Sequence, residues 1–359
     1  DALTGIYLKL GTKTLYAGDL TYAYLDELAG LYSDYPGYNT NAVFNQSIVF
    51  DYENMFLSKK NGIYSAMYNV IANINNFLEY VDKNKDVLVT ERYYETMKGE
   101  ALGLRAFLHF DLLRMFGPIY KEHPASKAIP YRTTFDKDAT PVLSANEVVD
   151  AILKDLNAAE KLLKESDPLH FFTDQMGEEL TEINQFLINR EFRMNLYAVK
   201  ALLARVYLYA GNKTEAENYA NQVIGSGYFD LIGDASDVLR SKEIVFSVYV
   251  DDFDQQVATI TNGNTYYISK EEFLDELFDV ANDGSNDLRI REGVGFDYGT
   301  HGITMRKYKQ ENLWASTEGT VVLIRLSEMY YILAECAATP EEAAGYLNKV
   351  REMRGIDPT

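Results

Sequence analysis

Two widely separated stretches of this sequence carry the same arrangement of small and aromatic residues. The recurring residues have the same offsets in both copies: Ala216, Tyr219 and Val223 in one, and Ala343, Tyr346 and Val350 in the other. Small residues at fixed positions let two antiparallel helices pack closely. A helix–turn–helix unit of this kind is typical of tetratricopeptide folds, which stack helix pairs into a superhelix. We therefore predict a mainly α-helical chain built from dispersed helix pairs.

Hydrophobic periodicity predicts where the other helices lie. Apolar residues recur every three or four positions from Ile63 to Val81, which indicates an amphipathic helix. The run from Tyr93 to Phe116 is apolar on more than one face, so we expect partners all around this helix, and Pro118 prevents its continuation. The remaining predicted helices are 148–163, which follows a capping box at Ser144 and Glu147, 195–210 and 214–224.

Strand signals are few, and long polar segments separate the helices. A β-branched and aromatic run over 243–250 predicts one strand, and 321–323 is a weaker candidate. The regions 251–263 and 282–318 are rich in Gly, Asn and Asp and are interpreted as long loops, which in compact domains tend to be functional. We predict a single domain over 1–359, with helix pairs near 63–116, 147–224 and 324–355, a few short strands, and a loop-rich insertion at 251–320.

Composition excludes several classes of partner. The net charge is −20, and the chain lacks the basic face that a nucleic-acid partner requires. No run of about 18 apolar residues predicts a transmembrane helix. The chain opens without a charged and apolar leader, so we expect an export signal, and with it any lipid-anchor cysteine, to have been removed before Asp1. The acidic segment Asp279–Asp287 fails the EF-hand order, and we predict neither a metal nor a cofactor.

Three segments resemble one protein family. They are GEALGLRAFLHFDLLRMFGP at 99–118, IRLSEMYYILAE at 324–335 and LNKVREMRG at 347–355, with shorter matches at 5–7, 18–20 and 228–231. On these motifs, which follow one another in the family's order and span most of the chain, the sequence is identified as a member of the SusD/RagB family. Family members usually continue with a further helix after the last motif, whereas this chain stops at Thr359.

The resemblance implies a function as well as a fold. It implies a non-catalytic, lipid-anchored protein of the outer-membrane cell surface that captures glycans and delivers them to a TonB-dependent SusC-type transporter. The alternative is a tetratricopeptide-type protein-interaction scaffold of the outer membrane that does not bind sugar. A glycosidase ranks third, since two carboxylates would suffice for one, but the residues show no catalytic motif.

The charged residues of the family motifs are interpreted as scaffold. Arg105, Asp111 and Arg114 lie on an otherwise apolar helix, and buried charges must be paired. Arg325 and Glu328 have the three-residue spacing of Asp111 and Arg114, so we expect them to form structural ion pairs too.

Sugar binding requires aromatic platforms with amide or carboxylate groups nearby. The segments that offer both are the loops around 35–41 and 262–267 and the only tryptophan. The predicted ligand-binding residues are Trp314, Tyr35, Tyr38, Asn39, Asn41, Asn264, Tyr266 and Tyr267. No catalytic residue is predicted.

Overall fold

The computed structural model describes residues 2–33, 42–47, 49–51, 56–171, 187–261, 266–300, 302–308 and 318–358. Within these ranges the chain is mainly α-helical, as the sequence predicts. The α-helices are α1 (Ala2–Leu10), α2 (Tyr24–Leu28), α3 (Ala42–Ser47), α4 (Phe56–Lys83), α5 (Tyr93–Phe116), α6 (Ala145–Ser166), α7 (Pro168–Phe171), α8 (Leu196–Tyr209), α9 (Lys213–Ile224), α10 (Phe253–Thr261), α11 (Leu326–Cys336) and α12 (Pro340–Glu352).

Helix α5 forms the centre of the scaffold. Its residues from Gly99 to Leu113 are buried on every face, which agrees with the all-round apolar pattern of the sequence. It packs against α6, which begins at the predicted capping box, where Glu147 Oε2 accepts a hydrogen bond from the Ser144 backbone N–H at 2.9 Å. The two helices approach so closely at Gly99 that a methyl group there would lie 2.7 Å from Leu163 Cγ.

The two sequence repeats are neighbours in space. Helices α8 and α9 form one antiparallel pair, α11 and α12 form the other, and α9 packs against α11. Side-chain caps start three of these helices: Asn195 accepts from the N–H of Ala198, Asn212 from that of Glu215, and Thr339 from that of Glu342. The pairs therefore form one continuous stack, although a long segment separates them in the sequence.

The strands are short and lie between the helix pairs. They are β1 (Lys127–Pro130), β2 (Val142–Ser144), β3 (Ile244–Tyr249), β4 (Phe296–Tyr298), β5 (Ile303–Met305) and β6 (Thr320–Arg325). Each pairs antiparallel with one other strand, β1 with β2, β3 with β6 and β4 with β5. Both predicted strands are confirmed, and they pair with each other, with Val248 opposite Val321. This ladder joins the middle of the chain to the start of the second repeat.

The region 251–263 does not form the predicted loop. Helix α10 covers Phe253–Thr261, and Phe253 and Val257, one turn apart, are buried on its inner face. Two core-facing residues in a short acidic segment are too weak a periodic signal to be recognised. The region 282–318 agrees better with its interpretation, because its described part contains only 3-10 turns and the β4–β5 hairpin.

Buried ion pairs hold the helices in register. Arg105 forms a two-pronged ion pair with Asp155 of α6, with Nε–Oδ2 and Nη2–Oδ1 distances of 2.7 and 2.8 Å, and Arg114 pairs with Asp111. The predicted pairing of Arg325 with Glu328 is wrong. Glu328 instead binds Arg205 of α8, and Arg325 donates a hydrogen bond to the Leu239 carbonyl oxygen.

Candidate functional site

A cavity of about 280 Å³ lies where the α2 region, α10 and the β4–β5 hairpin meet. We call it the tyrosine pocket, after the five aromatic side chains that line it, Tyr22, Tyr32, Tyr266, Tyr267 and Tyr308. Val257 and Ala258 of α10 and Met305 of β5 add apolar surface, and Asp254 and Thr304 add polar groups. Aromatic walls with a small number of polar groups are the usual composition of a small-molecule site.

The rings of the tyrosine pocket pack against one another. The centroids of Tyr22 and Tyr308 are 4.9 Å apart, and those of Tyr32 and Tyr266 are also 4.9 Å apart with the rings edge to face. The centroid of the Phe253 ring lies 6.0 Å from that of Tyr22, with the two rings edge to face. Ring pairs in these arrangements are mutually stabilising, so the platform is largely preformed.

Backbone hydrogen bonds join the early and late parts of the chain at this pocket. The Ser33 N–H donates to the Tyr267 carbonyl oxygen at 2.9 Å, and Ile268 and Ile303 exchange two bonds of 2.9 Å. These bonds hold the chain after Tyr32 against the segment that carries Tyr267. Segments from the early and late parts of the chain thus build one site.

Several tyrosine hydroxyls are already engaged. Tyr32 donates to the Tyr22 carbonyl oxygen at 2.7 Å, and Tyr266 donates to Glu27 Oε1 at 2.7 Å. In the part of the chain that the structure describes, the buried Tyr22 hydroxyl and Glu27 Oε2 have no hydrogen-bond partner. Buried polar atoms without a partner are costly, and of these two only the Tyr22 hydroxyl belongs to a residue of the pocket wall.

Burial determines the protonation of the pocket. It raises the pKa of Tyr22, Tyr32, Tyr266 and Tyr308, which keeps these hydroxyls neutral and able to donate at pH 7. Burial also raises the pKa of Asp26 of α2 to about 6, although Lys307 and the pocket residue Tyr32 favour its charged form.

The described residues contain neither a candidate metal site nor a candidate transmembrane helix. No group of three or more His, Cys, Asp or Glu side chains among them is placed to hold a metal ion. Within the same ranges, no helix has both the length and the apolarity needed to cross a bilayer.

The predicted ligand-binding residues fall into two groups. Tyr266 and Tyr267 line the tyrosine pocket. The others lie outside the described residues: Trp314, Tyr35, Tyr38, Asn39, Asn41 and Asn264. The ranges that contain them join the described chain at Ser33, Tyr266 and Tyr308, all at or beside the pocket.

Sequence reasoning missed Tyr22, Tyr32 and Tyr308. Tyr22 and Tyr32 flank α2 among apolar residues, and a tyrosine in such a segment is usually interpreted as a core residue. Tyr308 lies between two lysines in the same Gly- and Asn-rich region as Trp314, and its aromatic character in that polar segment was an available signal.

Comparison with known proteins supports the classification of this fold. Residues 15–175 match the family model described as "Starch-binding associating with outer membrane". The chain is 25% identical to the SusD-like protein P38 of Formosa agariphila, over 74% of this chain and 58% of that protein. It is 24% identical to a SusD-like protein of Bacteroides ovatus, over 50% of this chain and 30% of that protein.

A solved structure extends the match to the whole fold. The structure of a SusD-like carbohydrate binding protein from Bacteroides vulgatus superposes with a TM-score of 0.70 at 18% identity, covering 100% of this chain and 75% of that one. At this identity the likeness establishes the fold. Together with the family model and the curated relatives, it makes the chain similar to SusD-like proteins over most of its length. The chain spans 58% and 30% of the lengths of those two relatives.

Proposed function

We propose that this protein binds glycan in the tyrosine pocket and does not cleave it. The observation that carries the proposal is the pocket itself, in which five tyrosines surround a cavity of about 280 Å³. The family model describes starch-binding proteins, and the superposed protein of Bacteroides vulgatus is named as carbohydrate-binding, which supports the same ligand class.

The chemistry of a sugar fits this pocket. A pyranose ring has apolar C–H faces that pack on aromatic rings and hydroxyl groups at its edge that require hydrogen-bond partners. Tyr267 and Tyr308, which are half-buried, offer the ring surface, and Asp254 and Thr304 offer polar contacts. Such a site selects for rings that carry both kinds of surface.

The remaining predicted residues extend the proposed site. We propose that Trp314 adds a further aromatic platform, and that the loop residues Tyr35, Tyr38, Asn39, Asn41 and Asn264 meet ring faces and hydroxyls of the same glycan. Binding groups commonly lie on loops that a rigid scaffold presents, and these residues belong to ranges that join the chain beside the pocket.

The family also indicates where the protein works. We propose that it is lipid-anchored at the cell surface of the outer membrane and delivers captured glycan to a TonB-dependent SusC-type transporter. The family model's association with the outer membrane supports this location.

A non-catalytic role agrees with the surroundings of His109, a buried histidine of the scaffold. Burial lowers the pKa of His109 to about 3, so its ring is neutral at pH 7. Its Nδ1 lies 2.8 Å from the Arg105 carbonyl oxygen, and its Nε2 accepts from the Arg132 N–H at 3.1 Å. Both ring nitrogens serve the fold.

Affinity electrophoresis against a panel of neutral and acidic polysaccharides tests the proposed function. We expect at least one polysaccharide to retard the protein, and the same mixture to release no reducing ends. Absence of retardation by every polysaccharide would contradict glycan binding. Release of reducing ends that a single Asp or Glu substitution abolishes would contradict the non-catalytic role.

A further inference from the structure

A second cavity, of about 230 Å³, adjoins the tyrosine pocket. Met305 lines both cavities, and the consecutive residues Lys307 and Tyr308 line one each. Lys307 Nζ lies 4.6 Å from the centroid of the Tyr308 ring, so the two cavities meet at this pair. We call the second cavity the basic pocket, because its walls carry five cationic side chains, Arg240, Arg289, Lys307, Arg325 and Arg354.

These cations come from five separate places in the fold. Arg240 lies before β3, Arg289 in the 3-10 turn Leu288–Ile290 and Lys307 after β5. Arg325 lies at the end of β6 and Arg354 after α12. In a chain with a net charge of −20, such a concentration of positive charge in one cavity is opposite to the overall composition. No pattern in the sequence brings these residues together; the stacking of the repeats and the β3–β6 ladder does.

Two of these cations, Arg354 and Arg289, form direct ion pairs. Arg354 Nη2 lies 2.7 Å from Glu243 Oε2, and Arg289 Nη2 lies 2.6 Å from Asp287 Oδ2. Arg240 donates to the Asp234 carbonyl oxygen at 2.5 Å, which orients the guanidinium but leaves its charge in place.

Arg325 is held in the same way. Its Nη1 donates to the Leu239 carbonyl oxygen at 2.5 Å, because its expected partner Glu328 is bound to Arg205. Among the described residues, Arg240 and Arg325 thus contact backbone carbonyl oxygens rather than carboxylates.

The pKa shifts of Arg240, Arg325 and Lys307 agree with several positive charges lying close together. Burial, and then the neighbouring Arg354, lower the pKa of Arg240. Burial lowers the pKa of Arg325, with Arg354 acting in the same direction against Glu243. Burial, then Arg325, lower the pKa of Lys307 to about 8, despite the opposing charge of Asp26. Cations held together out of water favour a bound anion that would pair with them.

We propose that the basic pocket binds an oxyanion, the carboxylate or sulfate group of an acidic saccharide whose adjoining ring lies in the tyrosine pocket. A guanidinium presents two parallel N–H groups that match the oxygens of a carboxylate or sulfate, and several guanidinium groups converge here. The saccharide part of this inference rests on the proposed function, and the oxyanion site stands independently of it. The substrate class is therefore acidic polysaccharide.

Inorganic sulfate tests the oxyanion site without any glycan. Lys307→Met removes a charge whose burial is unfavourable, so we expect this variant to fold at least as stably as the wild type. Isothermal titration with sodium sulfate, at an ionic strength held constant with sodium chloride, should show binding to the wild type that is about tenfold weaker in Lys307→Met. Lys154→Met, which removes an exposed charge on α6, is the matched control and should bind like the wild type.

The pH dependence provides a second readout. Lys307 is faced by Arg289 and Arg325, which disfavour its charge, and by Asp26, which favours it. Its pKa of about 8 means that sulfate affinity should fall as the pH rises from 7 to 9 in the wild type, and should change less in Lys307→Met. Equal sulfate affinity in the wild type and Lys307→Met at every pH would overturn the oxyanion site.

Polysaccharides then test the saccharide part. A sulfated polymer, its desulfated form, a polyuronate and a neutral glucan should be compared on the wild type, Lys307→Met, Lys154→Met and Arg240→Gln. We expect the sulfated polymer or the polyuronate to bind, whichever carries the matching oxyanion, and this binding to weaken about tenfold in Lys307→Met and Arg240→Gln. Arg240 also holds backbone carbonyl oxygens, so its variant is interpreted only where its thermal unfolding matches the wild type.

The outcomes separate the two proposals. Equal binding of neutral and acidic polymers, insensitive to Lys307→Met, would overturn the acidic substrate class and leave glycan binding intact. Sulfate binding that depends on Lys307, with no polysaccharide bound, would overturn glycan binding and leave the oxyanion site intact.

Discussion

Arg205 of α8 binds Glu328 of α11 through two hydrogen bonds, from Nε to Oε1 at 2.5 Å and from Nη2 to Oε2 at 2.6 Å. This pair joins the first helix of one repeat to the first helix of the other. It also removes Glu328 from reach as a partner for Arg325, three residues before it, which faces the basic pocket instead. Arg325, at the end of β6, thereby adds its charge to the wall of the basic pocket.

Arg190 forms a buried ion triad with two carboxylates of the scaffold. Arg190 pairs with Glu100 at 2.5 Å and with Asp167 at 3.0 Å, and both carboxylate side chains have 0% exposure. Arg190→Met leaves two buried charges without their partner, so we expect the free energy of unfolding in urea to fall by about 3–5 kcal/mol. Lys83→Met, which breaks an exposed pair with Glu79, should lower the free energy of unfolding far less, because solvent screens this pair. Similar losses of unfolding free energy in the two variants would contradict the predicted contribution of the triad.

Close packing of α5 on α6 predicts opposite effects for two glycine substitutions. Gly99→Ala places a methyl group 2.7 Å from Leu163 Cγ, and we expect a loss of about 1–3 kcal/mol in the free energy of unfolding. Gly5→Ala in α1 meets no atom within 4 Å, so its helix propensity should raise that free energy by up to about 1 kcal/mol. Denaturant titration measures both. A stabilised Gly99→Ala variant would contradict the close approach of α5 and α6.

Asp26 gives the folded state a defined pH dependence. Its pKa is about 6 in the folded protein and is raised above its ordinary value, so the folded state binds more protons between about pH 4 and 6. Stability from this group is therefore present at low pH and is lost as the pH rises through 6. We expect Asp26→Asn to be more stable than the wild type by about 1–3 kcal/mol at pH 7.5, with the difference vanishing below pH 4. A constant difference between Asp26→Asn and the wild type at all pH values would contradict the burial of Asp26.

Local signals in the sequence were sufficient for most of the helices. Helix α5 spans Tyr93–Phe116, as predicted, because its apolar pattern and Gly117-Pro118 mark both of its ends. The capping box placed α6 for a similar reason. Helix α10 was missed because a short helix buries few residues and its acidic start resembles a turn.

Long-range contacts account for what the sequence did not predict. The spacing of Arg325 and Glu328 favours a pair within one helix, but Arg205 on another helix is better placed for the acid. Tyr22 and Tyr32 line the pocket with residues of the late insertion, to which the Ser33–Tyr267 hydrogen bond joins the early chain. The roles of Trp314 and the other loop residues stay predictions. Such contacts depend on the fold as a whole and leave no periodic trace in the sequence.

The central claim is that the tyrosine pocket binds glycan, and one calorimetric comparison tests it most directly. An oligosaccharide of a polysaccharide that retards the protein is titrated into the wild type, Tyr308→Ala, and Tyr80→Ala, which removes a ring that is 57% exposed on α4. Tyr308 lines the pocket and packs on Tyr22. We predict that Tyr308→Ala lowers the affinity about tenfold or more, as removal of a binding anchor does, and that Tyr80→Ala leaves it unchanged. Unchanged affinity in a folded Tyr308→Ala variant would contradict the claim.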